Sequence, residues 1–173
     1  PGSLLTAGCF QLFSRRKKGY NRIIKVKVGI SVKPNTGFYV QKINDIVKET
    51  EAIGEKMNPN YEAIRQAIDE DKLADLTPES LQATTAIFEE GTAKYQAMLT
   101  EISQLRPPAK VLGIHKKFEK AYENYVAGCE EMIASIQKTV DVPAFDAAEA
   151  KQDAATDVIS FSIQRMTNLL LGR

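Results

Sequence analysis

The sequence predicts an all-α fold: an up-and-down bundle of four to five helices, preceded by a basic N-terminal arm that contains one strand. The first observation behind this is composition. The 173 residues are 43% hydrophobic but only 8% aromatic, with no tryptophan, which favours one domain of helices packed through aliphatic side chains over a β-sandwich. The second is a seam in which apolar side chains recur at alternating steps of four and three residues, as in bundled helices: Val111, His115, Phe118, Tyr122, Tyr125, Cys129, Met132 and Ile136. A helix of about thirty residues here would be roughly 45 Å long.

Charge divides the chain into two parts. Residues 1–34 hold eight bases and no acid, whereas the remainder holds 15 bases and 22 acids. We therefore separate a basic arm, residues 1–35, from a helical bundle, residues 36–173. Because membranes and nucleic acids are both polyanions, the arm predicts one of them as a neighbour. The alternative is a solvated tail.

A short segment near the start of the chain points to the cell envelope. Residues 4–9, which end in Thr6-Ala7-Gly8-Cys9, resemble the end of a bacterial lipoprotein signal peptide, in which the cysteine becomes the acylated first residue. Thr6 stands where leucine is commoner, and residues 10–13 are more apolar than the usual tether. The resemblance implies lipidation of Cys9 and an extracytoplasmic, membrane-anchored protein. The alternative is an ordinary cysteine in a loop of small residues.

The rest of the arm combines a basic run with a strand pattern. Arg15, Arg16, Lys17 and Lys18 are too charged for a core, and beside an acylated cysteine they would contact lipid headgroups. Residues 24–32 then alternate apolar and polar side chains, which predicts a strand with one wet face. Its pairing stays open: residues 4–13, a second copy of the chain or a bound peptide would each satisfy it.

Helix signals follow from residue 37. A first helix is predicted over Phe38–Met57 and a shorter one over Asn60–Lys72, because the residue before Pro59 is pushed out of helical geometry. The acids at 69–71 are expected to face water. Thr77 and Pro78 are a cap and a first-turn proline that start a third helix. Gly91 falls on the seam of that helix, which predicts the close approach of another helix or a large side chain.

Two further breaks define the last helices. Pro107-Pro108 forces a reversal before the central helix, and Asp141 is the expected cap of the final helix. The first half of that helix is rich in alanine, which favours close packing of its neighbours. Its expected core residues are Ala148, Ala155, Val158, Ile159, Ser162, Ile163, Met166, Leu169 and Leu170.

Few residues suggest chemistry. A single histidine excludes the usual di-metal ferritin site, which needs two Glu-x-x-His pairs. Neither a phosphate-binding glycine loop nor a nucleophile elbow is present, and we predict no metal, cofactor or catalytic residue.

His115 could serve a ligand; the alternative is a structural histidine bonded to a carbonyl near the proline turn. Cys129 is predicted to be a buried, inert thiol. Tyr95, His115 and Tyr122 could line a ligand pocket between helices; the alternative is that Tyr95, Tyr122 and Tyr125 are core residues whose hydroxyls reach the surface.

The pattern from Leu105-Arg106-Pro107-Pro108 through His115, Ala121, Tyr122 and Tyr125 resembles uncharacterised helical domains of secreted proteins and lipoproteins from Gram-positive bacteria. The resemblance covers about twenty residues and implies a packed helical hairpin without any activity.

Together these observations predict a non-enzymatic envelope lipoprotein whose bundle acts as an interaction or structural module, in contact with the membrane through its arm. The alternatives are a small-ligand or peptide-binding helical domain, and a cytoplasmic protein that contacts nucleic acid through the arm, which the acidic body disfavours.

Overall fold

The computed structural model describes residues 34–172, and in that part of the chain four α-helices run alternately up and down. Their bounds are α1 Pro34–Asp69, α2 Pro78–Gln104, α3 Leu112–Ser135 and α4 Val142–Leu171, with short 3-10 turns at Leu73–Asp75 and Ala109–Val111. The all-α bundle is confirmed. The predicted strand, Cys9 and the basic run lie outside the described residues.

The first helix differs from the prediction, because α1 continues through Pro59. The expected break at Asn58-Pro59-Asn60 is wrong, so the described bundle has four helices, the lower of the two numbers predicted. A proline inside a helix removes one backbone hydrogen bond and costs about 3 kcal/mol. Tyr61 and Ile64, beyond the proline, are 0% and 1% exposed, and burying a large apolar side chain contributes about 1.5–3 kcal/mol. Tertiary packing therefore outweighs the local cost.

The other helix boundaries follow local chemistry. The Ser80 backbone N–H donates to the Thr77 hydroxyl at 3.2 Å, and the Ala144 N–H donates to the Asp141 carboxylate at 3.1 Å. Each cap satisfies a backbone group that the first turn of a helix leaves without an intrahelical partner. Both predicted caps are confirmed. The acids at 69–71 are exposed, as expected.

The core follows the predicted seams. All eight seam residues between Val111 and Ile136 are buried, although α3 itself has 24 residues, fewer than the thirty expected. On α4 the structure buries Phe145, Glu149, Gln152 and Thr156 as well, whereas Val158, Leu169 and Leu170 are only partly buried.

Glycines mark the places where helices come closest. A Cβ atom on Gly91 would lie 2.9 Å from the Met57 Cε and nearer still to its Sδ, so the predicted approach of a large side chain is confirmed. A Cβ on Gly128 would lie 2.6 Å from the Gln152 Cγ and 3.3 Å from its backbone nitrogen. Met57 meets position 91 with the flexible end of its side chain, whereas position 128 also faces backbone atoms of α4, so a larger side chain would be harder to accommodate at 128.

Candidate functional site

The three residues predicted to line a ligand pocket are all in the packed interior. Tyr95 is 0% exposed, and His115 and Tyr122 are each 1% exposed. Phe118 separates the His115 and Tyr122 rings, with ring centroids 6.3 and 6.0 Å away. The structure therefore buries the three side chains in one packed core, and the ligand pocket between them stays a prediction.

His115 connects the helices near the start of α1. Its Nδ1 lies 3.0 Å from the Tyr39 hydroxyl, and that hydroxyl is 3.1 Å from the Met166 sulfur. The ring also hydrogen-bonds the backbone of Ile102 at the end of α2. Because an N–H must donate to that carbonyl, the neutral tautomer leaves Nδ1 to accept from Tyr39. His115 thus joins α3 to α1 and α2, and through Tyr39 to α4.

The charge state of His115 follows from this placement. Burial lowers the pKa of the imidazole, and the effect outweighs the Glu119 carboxylate and the Ile102 hydrogen bond, which act in the opposite direction. The nearby Lys116 ammonium lowers it further. The ring is therefore neutral at pH 7 and both of its nitrogens are engaged. This arrangement fits the alternative interpretation of His115, that of a structural histidine. Its carbonyl partner, Ile102, belongs to helix α2.

A second polar layer crosses the middle of the bundle. The Thr50 and Tyr122 hydroxyls are 2.7 Å apart, and each lies 3.3 Å from the Met98 sulfur. The Tyr95 hydroxyl donates to the Thr50 carbonyl at 3.3 Å. The expectation that these tyrosine hydroxyls reach the surface is wrong, because Tyr95 and Tyr122 are 0% and 1% exposed and bond inside the core. Buried hydroxyls that are bonded in this way hold the register of three helices.

Cys129 is a free thiol in the interior. It is 2% exposed, and its Sγ lies 3.6 Å from the Gln152 Oε1. Burial raises the pKa of the thiol, and Glu130 raises it further. Since the thiolate is the reactive form, the group is unreactive at neutral pH.

Sequence reasoning missed a charged cluster at the opposite end of the bundle. The Arg65 guanidinium lies 2.7 Å from the Asp146 carboxylate, 2.8 Å from Asp69 and 3.3 Å from Glu149. Glu149 is only 8% exposed, and it accepts a hydrogen bond from the Tyr61 hydroxyl at 2.7 Å. Burial disfavours the charged guanidinium, but Asp146 and Asp69 together outweigh this and raise its pKa. The available signal was Glu149 itself, an acid on the inner face of α4 between Ala148 and Gln152.

A shallow apolar cleft lies between the start of α1 and the end of α4. Its lining residues are Tyr39, Val40, Ile43, Ile163, Met166, Thr167, Leu170 and Leu171. Neither Tyr95 nor Tyr122 lines it, and His115 reaches it only through its bond to Tyr39. It is a candidate contact surface that no sequence motif marks.

Two kinds of feature are absent from residues 34–172. None of the helices there combines the length and the apolar character needed to cross a bilayer. No group of three or more histidine, cysteine or acidic side chains in the same part of the chain is placed to hold a metal ion.

Comparisons with known proteins gave no match: no protein-family model fits the chain, and neither a curated protein nor a solved structure is similar to it.

Proposed function

We propose that this chain is a non-enzymatic module of the bacterial cell envelope. In this proposal a lipid on Cys9 and the basic run Arg15, Arg16, Lys17 and Lys18 hold the protein at a membrane, and the helical bundle presents a surface to other molecules. The support for the anchor is the Thr6-Ala7-Gly8-Cys9 segment. An acyl chain gives stable membrane attachment when a second signal, such as a polybasic patch, accompanies it.

One observation carries the non-enzymatic part of the proposal. The single histidine has both ring nitrogens engaged by Tyr39 and Ile102, and it is 1% exposed. A general acid or base must reach a proton on its substrate. Within the described residues the other candidate nucleophile, Cys129, is buried and held protonated. Both groups act as packing elements of the core.

Two other functions are weighed against this one. The cleft lined by Tyr39, Ile43 and Met166 favours a binder of a small apolar molecule, at a place different from the predicted pocket. Nucleic-acid binding would depend on the arm, and the acidic body would oppose it. In that case binding to a DNA or RNA duplex would weaken steeply between 50 and 200 mM salt, roughly in proportion to the number of phosphates contacted.

The anchor is tested by expressing the full-length gene in a Gram-positive host beside a Cys9→Ser variant. Intact mass and membrane partitioning are measured for both proteins. The proposal expects a membrane-bound product heavier by a diacylglyceryl group, and it expects the variant to lose both the added mass and the membrane fraction. A soluble, unmodified wild-type product would contradict it.

A further inference from the structure

The described helices meet at two ends that differ in charge. One end, from which the arm continues, comprises residues 36–44, 102–118 and 158–172; we call it the arm end. Contacts between Tyr39, Ile102, His115 and Met166 show that these segments lie together. The opposite end comprises residues 61–90 and 126–150, and we call it the far end. At the far end the Tyr61 ring of α1 stacks on the Phe145 ring of α4, with 5.8 Å between the ring centroids.

All the charged side chains of the arm end are basic. Its six bases are Lys42, Arg106, Lys110, Lys116, Lys117 and Arg165, and four acids, Asp45, Glu101, Glu119 and Asp157, stand next to the limits of its three segments. The far end holds three bases, Arg65, Lys72 and Lys138. Its thirteen acids are Glu62, Asp69, Glu70, Asp71, Asp75, Glu79, Glu89, Glu90, Glu130, Glu131, Asp141, Asp146 and Glu149. The net charge of −7 over residues 35–173 thus conceals two ends of opposite sign.

Most of the arm-end bases are available to a partner. Lys42 and Lys116 are paired with Glu101 and Glu119, which border the arm end. Within residues 34–172 no ion pair is formed by Arg106, Lys110 or Arg165, and all three are exposed. Exposed bases that no carboxylate pairs attract a polyanion.

Exposed apolar side chains accompany these bases. Phe38, Leu112 and Phe161 of the arm end are 60%, 49% and 56% exposed. The Lys117 ammonium lies 5.1 Å from the Phe161 ring centroid. In the described part of the chain, the one other large hydrophobic side chain exposed to this degree is Ile87 at the far end, at 39%. Bases mixed with exposed aromatic and aliphatic side chains suit the boundary between lipid headgroups and acyl chains.

We propose that the arm end is a docking surface for an anionic membrane, with the far end directed away from it. This inference rests on the proposed envelope function and adds the orientation of the bundle. The arm continues from this end of the bundle and has eight bases in its sequence, so arm and bundle both offer positive charge to an anionic surface. The phosphates of a nucleic-acid duplex would satisfy the bases but not Phe38, Leu112 and Phe161, and for this reason a lipid surface is the better fit.

The test compares charge reversals that are equal in size but differ in place. All proteins are full chains that carry Cys9→Ser, so no acyl chain contributes. The arm-end variant carries Arg106→Glu, Lys110→Glu, Lys117→Glu and Arg165→Glu. The control carries Lys56→Glu, Lys72→Glu, Lys94→Glu and Lys138→Glu, four exposed bases outside the arm end. Co-sedimentation is measured with vesicles of phosphatidylcholine and phosphatidylglycerol, 3:1, in about 0.1 M NaCl, where charges are screened beyond about 10 Å. Circular dichroism checks that each variant is folded.

The proposal expects the arm-end variant to bind about tenfold or more weakly than the parent, since each base near an anionic surface contributes several-fold. The control should bind within about threefold of the parent. A second pair tests the apolar part: Phe161→Ser should weaken binding to these vesicles, whereas Ile87→Ser should not.

Three results would overturn the inference. Equal losses in the arm-end variant and the control would show that net charge alone governs binding. Parental binding by the arm-end variant, with loss on replacing Arg15, Arg16, Lys17 and Lys18 by serine, would leave the envelope proposal standing and remove this docking surface. Binding to a 20-base-pair duplex without binding to vesicles would assign the bases to nucleic acid. The envelope proposal fails separately, on the mass of the Cys9 product.

Discussion

The two ends of the bundle bury polar side chains in different charge states. At the arm end, neutral His115 and Tyr39 are buried and bonded to each other. At the far end, charged Arg65 and Glu149 sit at its edge, and Arg65 also reaches the half-exposed carboxylates of Asp69 and Asp146. A neutral group needs only hydrogen-bond partners when it is buried, whereas an ion also loses hydration. The difference shows why the bundle buries a neutral histidine fully, whereas its ion pair lies where other carboxylates still reach water.

Breaking the far-end ion pair should lower the free energy of unfolding more than any of the changes that follow. In Arg65→Met the Glu149 carboxylate would stay buried without its cationic partner, and we expect the free energy of unfolding to fall by about 3 kcal/mol. The double variant Arg65→Met, Glu149→Leu should recover at least half of that loss because it removes both charges. Urea denaturation followed by circular dichroism measures both values. A double variant less stable than the single one would contradict this description of the pair.

Overpacking a glycine should have the next largest effect. Gly91→Leu must displace Met57, and we expect a loss of about 1–3 kcal/mol. Gly113 on α3 is the matched control, because a Cβ atom there has nothing within 4 Å. Gly113→Leu should cause no loss of stability. Equal melting temperatures for Gly91→Leu and the wild type would contradict the close contact between Gly91 of α2 and Met57 of α1.

Removing one hydroxyl at each end compares a hydrogen bond to a charged group with a hydrogen bond to a neutral one. Tyr61→Phe deletes a donor to the Glu149 carboxylate, and Tyr39→Phe deletes a donor to neutral His115. Hydrogen bonds to charged groups contribute about 1.5–3 kcal/mol and neutral ones about 0.5–1.5 kcal/mol. The far-end variant should therefore lose more stability in parallel denaturation experiments. The reverse order would mean that the buried charge is better hydrated than its exposure indicates.

The smallest expected effect is a pH dependence that belongs to the arm end. Burial holds the pKa of folded His115 below that of the unfolded chain, so the unfolded state binds the proton first as pH falls. Stability is then complete above about pH 6.5 and declines below it, down to the lowered folded pKa. Since the chain has one histidine, His115→Gln should lack this decline. Denaturation at pH 7.5, 6.5 and 5.5 compares the two proteins. Parallel pH profiles would show that His115 does not contribute.

Local sequence signals predicted much of the fold correctly. Thr77 and Asp141 stand where a helix needs a side-chain acceptor, and the seam on α3 buries every residue that its spacing selects. The prediction of a helix break at Pro59 was wrong because it considered only the local cost of the proline. It did not consider the apolar side chains that continue on both sides of it. Met57, Tyr61 and Ile64 keep helical spacing across it, and this continuity was the better signal.

The site residues were less predictable than the helices. Tyr39 and His115 are 76 positions apart, and Tyr61 and Glu149 are 88 apart. Each pair depends on which helices become neighbours and at what height, and helical periodicity fixes neither. The sequence showed a histidine and tyrosines on inner faces but not that their polar atoms bond one another. The opposite charges of the two ends also appear only when the helices are aligned.

The orientation of the bundle at a membrane is the central claim, and one measurement tests it directly. Spin labels are placed on Lys110→Cys at the arm end and on Asp75→Cys at the far end, each in the full chain with Cys9→Ser. The remaining cysteine, Cys129, is buried, and its raised pKa keeps it from reacting. On anionic vesicles with a paramagnetic ion chelated at the headgroups, we expect strong relaxation of the label at 110 and little at 75. Equal relaxation of both labels, or stronger relaxation at 75, would contradict the proposed orientation.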